Sequence, residues 1–142
     1  MDLVVDASVA YKWLVAEDDS NVALMLRSNH DVVAPDLLLV ECRNAALTNL
    51  RKGELSAQEA NRVDRDLERL GLPTIPSTSL LSEAFSIAIE LRHPIYDCIY
   101  VAAAIVTSRL LVTADKRFAA KVAASEIGND RIKLLETFAV KR

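Results

Sequence analysis

Leu3-Val4-Val5-Asp6-Ala7-Ser8-Val9-Ala10-Tyr11-Lys12-Trp13 (LVVDASVAYKW) opens the chain with a short β-rich run that stops at a carboxylate and passes into a helical stretch. The same alternation recurs further on. Short β-rich runs stand at Val32-Val33-Ala34, Thr74-Ile75, Leu110-Leu111-Val112 and Ile132-Lys133-Leu134-Leu135, and helical pattern fills each gap. Parallel strands need crossover connections, and these are right-handed in nearly all proteins. The order therefore predicts a three-layer α/β/α fold around a parallel sheet of four or five strands.

Ser56 with Glu59 forms a capping box behind Leu55, which predicts a helix from about Ala57 to Leu70 with Ala60, Val63, Leu67 and Leu70 on one face. A second helix is expected to open at Ser79, with Leu80, Leu81, Ala84, Phe85, Ala88 and Leu91 along one side. The stretch from Gly71 to Ser79, holding Pro73 and Pro76, reads as a short strand with turns at both ends. No repeat or linker divides the chain, so residues 1–142 are expected to form one domain.

Hydrophobic residues make up 51% of the 142, charged residues 26%, and there are only three glycines and four prolines, a composition that excludes disorder. A net charge of −3 argues against binding nucleic acid by bulk electrostatics, though a basic rim around an acidic centre stays compatible with it. The strand-like start leaves no signal peptide to read, and the apolar run Ile99 to Val106 is far short of the roughly 20 residues that cross a bilayer. A cytoplasmic protein without membrane contact is expected. Cys42 and Cys98 form neither a CxxC pair nor a disulfide framework, and read as small buried hydrophobes.

Ligands of open α/β sheets bind outside the carboxyl ends of the strands, and several acids fall there. Asp6 ends the first strand, Asp36 follows the second, Glu41 lies more than a turn into the next helix, Asp97 heads the apolar segment HPIYDCIYVAAAIV, and Asp115 follows Leu110-Leu111-Val112. Most have an ordinary reading. Asp6, Asp36 and Asp115 suit helix N-caps, and Asp97 suits the positive end of a helix dipole. Asp36, directly after Pro35, is left as a cap. Glu41 is embedded in Leu37-Leu38-Leu39-Val40-Glu41-Cys42, too deep to cap, and Arg43 beside it points elsewhere on a helix. An oxygen-only set of this kind suits Mg²⁺ or Mn²⁺ rather than zinc. The two histidines, His30 and His93, are isolated and read as a turn residue and a helix-end residue.

Together VVDASVAYKW, PDLLLVECRNAAL, YDCIYVAAAI and LVTADKRFA resemble the PIN-domain ribonucleases, and among them the VapC-type toxins of toxin–antitoxin pairs, in order and spacing over nearly the whole chain. The resemblance implies an acidic metal site at Asp6, Glu41, Asp97 and Asp115, with supporting hydroxyls at Ser8 and Thr113 and a polar position at Asn44. Lys116 and Arg117 stand where some relatives carry a further acid. It also implies a homodimer and a cognate VapB-type antitoxin whose carboxy-terminal segment covers the acids. The expected reaction is hydrolysis of an RNA phosphodiester with Asp6 and Asp97 as principal ligands, Glu41 and Asp115 acting through water or on a second ion, and Lys12, Arg43, Lys116 and Arg117 steering the backbone. Mutual repulsion in the metal-free cluster is expected to raise at least one carboxylate pKa. An inactive PIN-like module that binds protein or RNA is the alternative. A phosphotransfer domain fits worse, because Asp6-Ala7-Ser8 offers no Asp-x-Asp after the first strand.

Overall fold

The computed structural model describes residues 1–140; the last two positions of the expected domain lie outside them. Within these described residues five strands, β1 (Asp2–Val5), β2 (Asp31–Pro35), β3 (Thr74–Ile75), β4 (Leu110–Thr113) and β5 (Ile132–Leu134), form one wholly parallel sheet in the order β3-β2-β1-β4-β5. Leu3, Val4 and Val5 have no exposed surface, as befits a central strand covered on both faces. In register, Leu3 faces Val32 on one side and Leu110 on the other.

Among the described residues seven α-helices supply the crossovers: α1 (Ala7–Leu14), α2 (Ser20–Asn29), α3 (Leu37–Arg51), α4 (Ala57–Glu68), α5 (Leu81–Leu91), α6 (Ile95–Val106) and α7 (Lys116–Ala123). The first two crossovers run one way across the sheet and the last two run back. Right-handed connections then put α1 to α4 on one face and α5 to α7 on the other. The packing agrees, α1 lying against α2 and α3, and α6 lying against α5, β1, β2 and β4. Strand order reverses at the β1/β4 junction, where a crevice opens at the strand carboxyl ends.

The capping box forms as read, with Ser56 Oγ accepting from Glu59 N and Glu59 Oε1 accepting from Ser56 N. At α5 the expectation needs correction. A 3₁₀ turn, Ser77–Leu80, precedes the helix, and Ser79 Oγ donates to Pro76 O instead of capping. The turn buries Leu80 and the helix Ala84, Ile87 and Leu91, while Leu81, Phe85 and Ile89 are exposed. Every apolar pair three or four apart looks alike in sequence, and only packing against α6 decides which stripe is covered.

From Cys98 to Ala104 α6 is buried all round, in keeping with an apolar helix held between sheet and α5. Cys42 and Cys98 are fully buried, and burial pushes their thiols up to about 12 and about 11. Among the described residues no helix is long and apolar enough to cross a membrane.

Candidate active site

Asp6, Glu41, Asp97 and Asp115 line one cavity of about 220 Å³ at the carboxyl ends of the strands, together with Ser8, Asn44 and Tyr100. Four separate segments deliver the four acids. Asp6 directly follows β1 and Asp115 follows β4, so the strand reversal sets them on either side of the crevice. Glu41 reaches in from α3 and Asp97 from the first turn of α6.

Capping and cavity-lining coincide in two of them. Asp6 Oδ1 accepts from Val9 N at 3.3 Å and Asp115 Oδ1 accepts from Phe118 N at 3.0 Å, each at the start of its helix. Asp6 is held further. Ser8 Oγ donates to its Oδ1 and Thr113 Oγ1 to its Oδ2, both at 2.5 Å. Those hydroxyls are fixed in turn, since Ser8 Oγ accepts from Ala114 N and Thr113 Oγ1 from Asp115 N. Asp36, by contrast, lies away from the cavity, and its Oδ1 accepts from Ser77 N.

Asp6 is 8% exposed, and burial pushes its carboxyl up to about 6 against the lowering effect of its three donors. Glu41 is raised as well, again first by burial. The expected upward shift is present, but repulsion from Asp97 is the smallest contribution to each. Desolvation dominates because both carboxyls are drawn largely out of water.

Two partners of the acids were not legible as such. Tyr100, in the apolar run of α6, is buried and donates its hydroxyl to Glu41 Oε1 at 2.5 Å. His93, read as a helix-end residue, lies in the short α5–α6 link just past the end of α5, and its Nε2 lies 2.6 Å from Asp97 Oδ2. The i, i+4 spacing from His93 to Asp97 was the available signal; Glu41 and Tyr100 are 59 positions apart and gave none. Tyr100→Phe keeps the ring and removes the donor, and is expected to cost about 1–2 kcal/mol of stability, a lowering of several degrees in a thermal melt. An unchanged melting temperature would mean that water replaces the hydroxyl.

The basic candidates divide. Lys12 and Lys116 line a smaller cavity of about 140 Å³ that includes Ala114, next to Asp115. Lys12 Nζ donates to Asp18 O at 2.7 Å, and Lys116 lies 3.8 Å from Glu136. Arg117 is exposed. Arg43 pairs with Asp64 at 2.6 Å and Glu68 at 2.7 Å and donates to Leu39 O, outside the acid cavity. It borders instead a larger groove of about 270 Å³ between α3 and α4, apolar apart from Arg43, Asn61 and Asp64.

Among the described residues no three His, Cys, Asp or Glu side chains converge closely enough to hold a metal ion as they are placed. The donors nevertheless fit one in kind. All are carboxylate oxygens, and a carboxylate accepts at about four sites, of which Glu41 and Asp97 each use one on the hydrogen bonds described. Oxygen donors of this hardness suit Mg²⁺ or Mn²⁺.

The PIN domain family matches residues 3–124. No curated protein matches the chain. Among solved structures, PAE2754 from Pyrobaculum aerophilum is similar at 23% identity and TM-score 0.71, over 96% of this chain and 85% of that one. VapBC2 from Rickettsia felis, solved bound to a DNA fragment from its promoter, is similar at 18% identity and TM-score 0.59, over 94% and 98%. VapBC-5 from Mycobacterium tuberculosis, of the VapBC family of toxin–antitoxin systems, is similar at 17% identity and TM-score 0.55, over the same shares. At these identities the likeness is one of fold.

Proposed function

The chain belongs to the PIN domain family, and we propose on that ground that it is a metal-dependent endoribonuclease hydrolysing RNA phosphodiester bonds, the toxin of a VapBC-type pair. The observation that carries the reading is the meeting of Asp6, Glu41, Asp97 and Asp115, from four segments of the chain, in one cavity at the switch point of the sheet. Acids gathered this way cost stability unless a cation neutralises them.

Bound Mg²⁺ or Mn²⁺ would supply Lewis acidity at the scissile phosphate and lower the pKa of an attacking water. Asp6 and Asp97 are the principal ligands in this reading, with Glu41 and Asp115 completing the set. Ser8 and Thr113 fix the Asp6 carboxylate from both sides, Tyr100 fixes Glu41, and Asn44 offers an exposed amide at the rim. In this reading Lys12 and Lys116, which line the neighbouring cavity beside Ala114, and the exposed Arg117 meet phosphates entering from the Asp115 side, whereas Arg43 would have to leave two ion pairs first.

Two neighbours named as VapBC proteins support the toxin reading. A VapB-type antitoxin would act by covering the acids. The exposed stripe Leu81, Phe85 and Ile89 on α5 is what a second copy would bury in a homodimer. The toxin reading also places the protein in the cytoplasm, with its RNA. An inactive PIN-like binding module is favoured by one fact, that the acids do not enclose an ion as placed.

Thermal unfolding with Mn²⁺, Mg²⁺ or chelator, run beside cleavage of a pooled structured RNA, separates the two. At metal about 100 times the dissociation constant, binding stabilises the native state by about 2.7 kcal/mol, and cleavage is expected to stop in chelator. Neither a shift nor cleavage at millimolar metal would leave the binding module as the better account.

A further inference from the structure

We propose that His93 is a positioning residue for Asp97, its imidazole set in one tautomer by Lys121 so that it holds one carboxylate oxygen and leaves the other for the cation. The inference rests on the metal-dependent reading of the same cavity and adds to it two residues outside the acid set.

Lys121 Nζ lies 3.1 Å from His93 Nδ1. An ammonium has donors and no acceptor, so Nδ1 must accept. The ring proton of the neutral imidazole then sits on Nε2, which faces Asp97 Oδ2 at 2.6 Å. Donation thus runs in one direction, from Lys121 through the ring to the carboxylate.

The ring itself is fixed. It packs on Phe118 with centroids 4.9 Å apart, and His93 N donates to Ala88 O directly after Arg92, which ends α5 in the left-handed conformation at φ 50. Lys121 also donates to Arg92 O at 3.4 Å, tying α7 to the same turn. Asp97, with its side chain 40% exposed, would otherwise be free to sample rotamers on binding. Partners that orient a metal-ligating group in this way typically account for about 10–100-fold in metal affinity.

Mn²⁺ affinity, read from titrated thermal shift and calorimetry, is to be compared in wild type, His93→Phe, His93→Gln and Lys121→Met. His93→Phe keeps an aromatic ring against Phe118 and loses the donor, so it is expected to weaken Mn²⁺ binding by about 10–100-fold with the metal-free melting temperature little changed. His93→Gln, whose amide nitrogen can stand in for Nε2, is expected to restore most of that affinity. Long-range ¹⁵N spectra, simple with two histidines in the chain, are expected to show His93 as the Nε2–H tautomer in wild type and as a mixture in Lys121→Met.

Wild-type affinity in His93→Phe overturns the proposal and leaves the nuclease reading standing. A wild type that binds no Mn²⁺ overturns both. If His93→Phe does not fold, an Nε2–H signal unchanged by Lys121→Met, with unchanged affinity, overturns it equally.

Discussion

On the nuclease reading, Asp97→Asn is expected to lower RNA cleavage by about 10³-fold or more, while the metal-free protein stays folded. A metal at a phosphoryl centre supplies several kcal/mol of charge stabilisation, and about 4 kcal/mol is about three powers of ten in rate. Asparagine keeps the shape of the side chain and an oxygen that accepts from His93 Nε2, so the α5–α6 link should hold. What it loses at the head of α6 is a favourable charge at a helix N-terminus, about 0.3–1 kcal/mol. Against this stands relief for Asp6 and Glu41, both of which the Asp97 charge pushes upward. Cleavage assays on the folded variant decide the matter. Activity within tenfold of wild type would reduce Asp97 to a helix-dipole residue.

The second large effect runs against the usual direction for a mutation. Asp6→Asn is expected to stabilise the metal-free protein at pH 7 by up to about 3 kcal/mol. The native carboxyl titrates near 6 and its ordinary value is 3.8, so between those values the native state holds a proton that the unfolded state has released. The contribution of Asp6 to the stability of the metal-free wild type therefore falls as pH rises from about 4 to about 6 and is level above that window. Asp36, whose carboxyl is lowered, contributes its dependence below the window. Asparagine is as good an N-cap as aspartate, so the Val9 bond survives while the desolvated charge disappears. Melts at pH 4 and pH 7 should lie closer together for the variant than for the wild type, the remaining difference including that of Glu41, whose carboxyl is also raised. A variant less stable than wild type at pH 7 would show that the Ser8 and Thr113 bonds outweigh burial of the charge.

Much of the architecture was legible because parallel strands buried on both faces are written as continuous runs such as Leu3-Val4-Val5 and Leu110-Leu111-Val112. Their separation by helical pattern allowed few topologies. The acids stood out for a related reason: each interrupts or ends an apolar segment, and a sheet edge collects what the strand ends carry. The side chains that hold them were harder to see. Tyr100 reads as core in any helical projection, and its hydroxyl finds Glu41 only because α3 and α6 approach the crevice from opposite faces of the sheet. Arg43 looked available from its neighbours in sequence, but its partners Asp64 and Glu68 arrive from α4 across a turn. The exposed stripe on α5 was misassigned because periodicity fixes the spacing of a face and leaves its direction open.

The two buried thiols sit immediately after site acids, Cys42 after Glu41 on α3 and Cys98 after Asp97 on α6. With both thiols pushed far above neutral pH and without solvent access, neither reacts with an alkylating reagent until its own helix opens. The molecule thereby carries two internal clocks, one on each wall of the crevice. Labelling kinetics of Cys42→Ala and Cys98→Ala would time the opening of α6 and α3 separately, and would tell whether an occupant of the crevice clamps both walls or one.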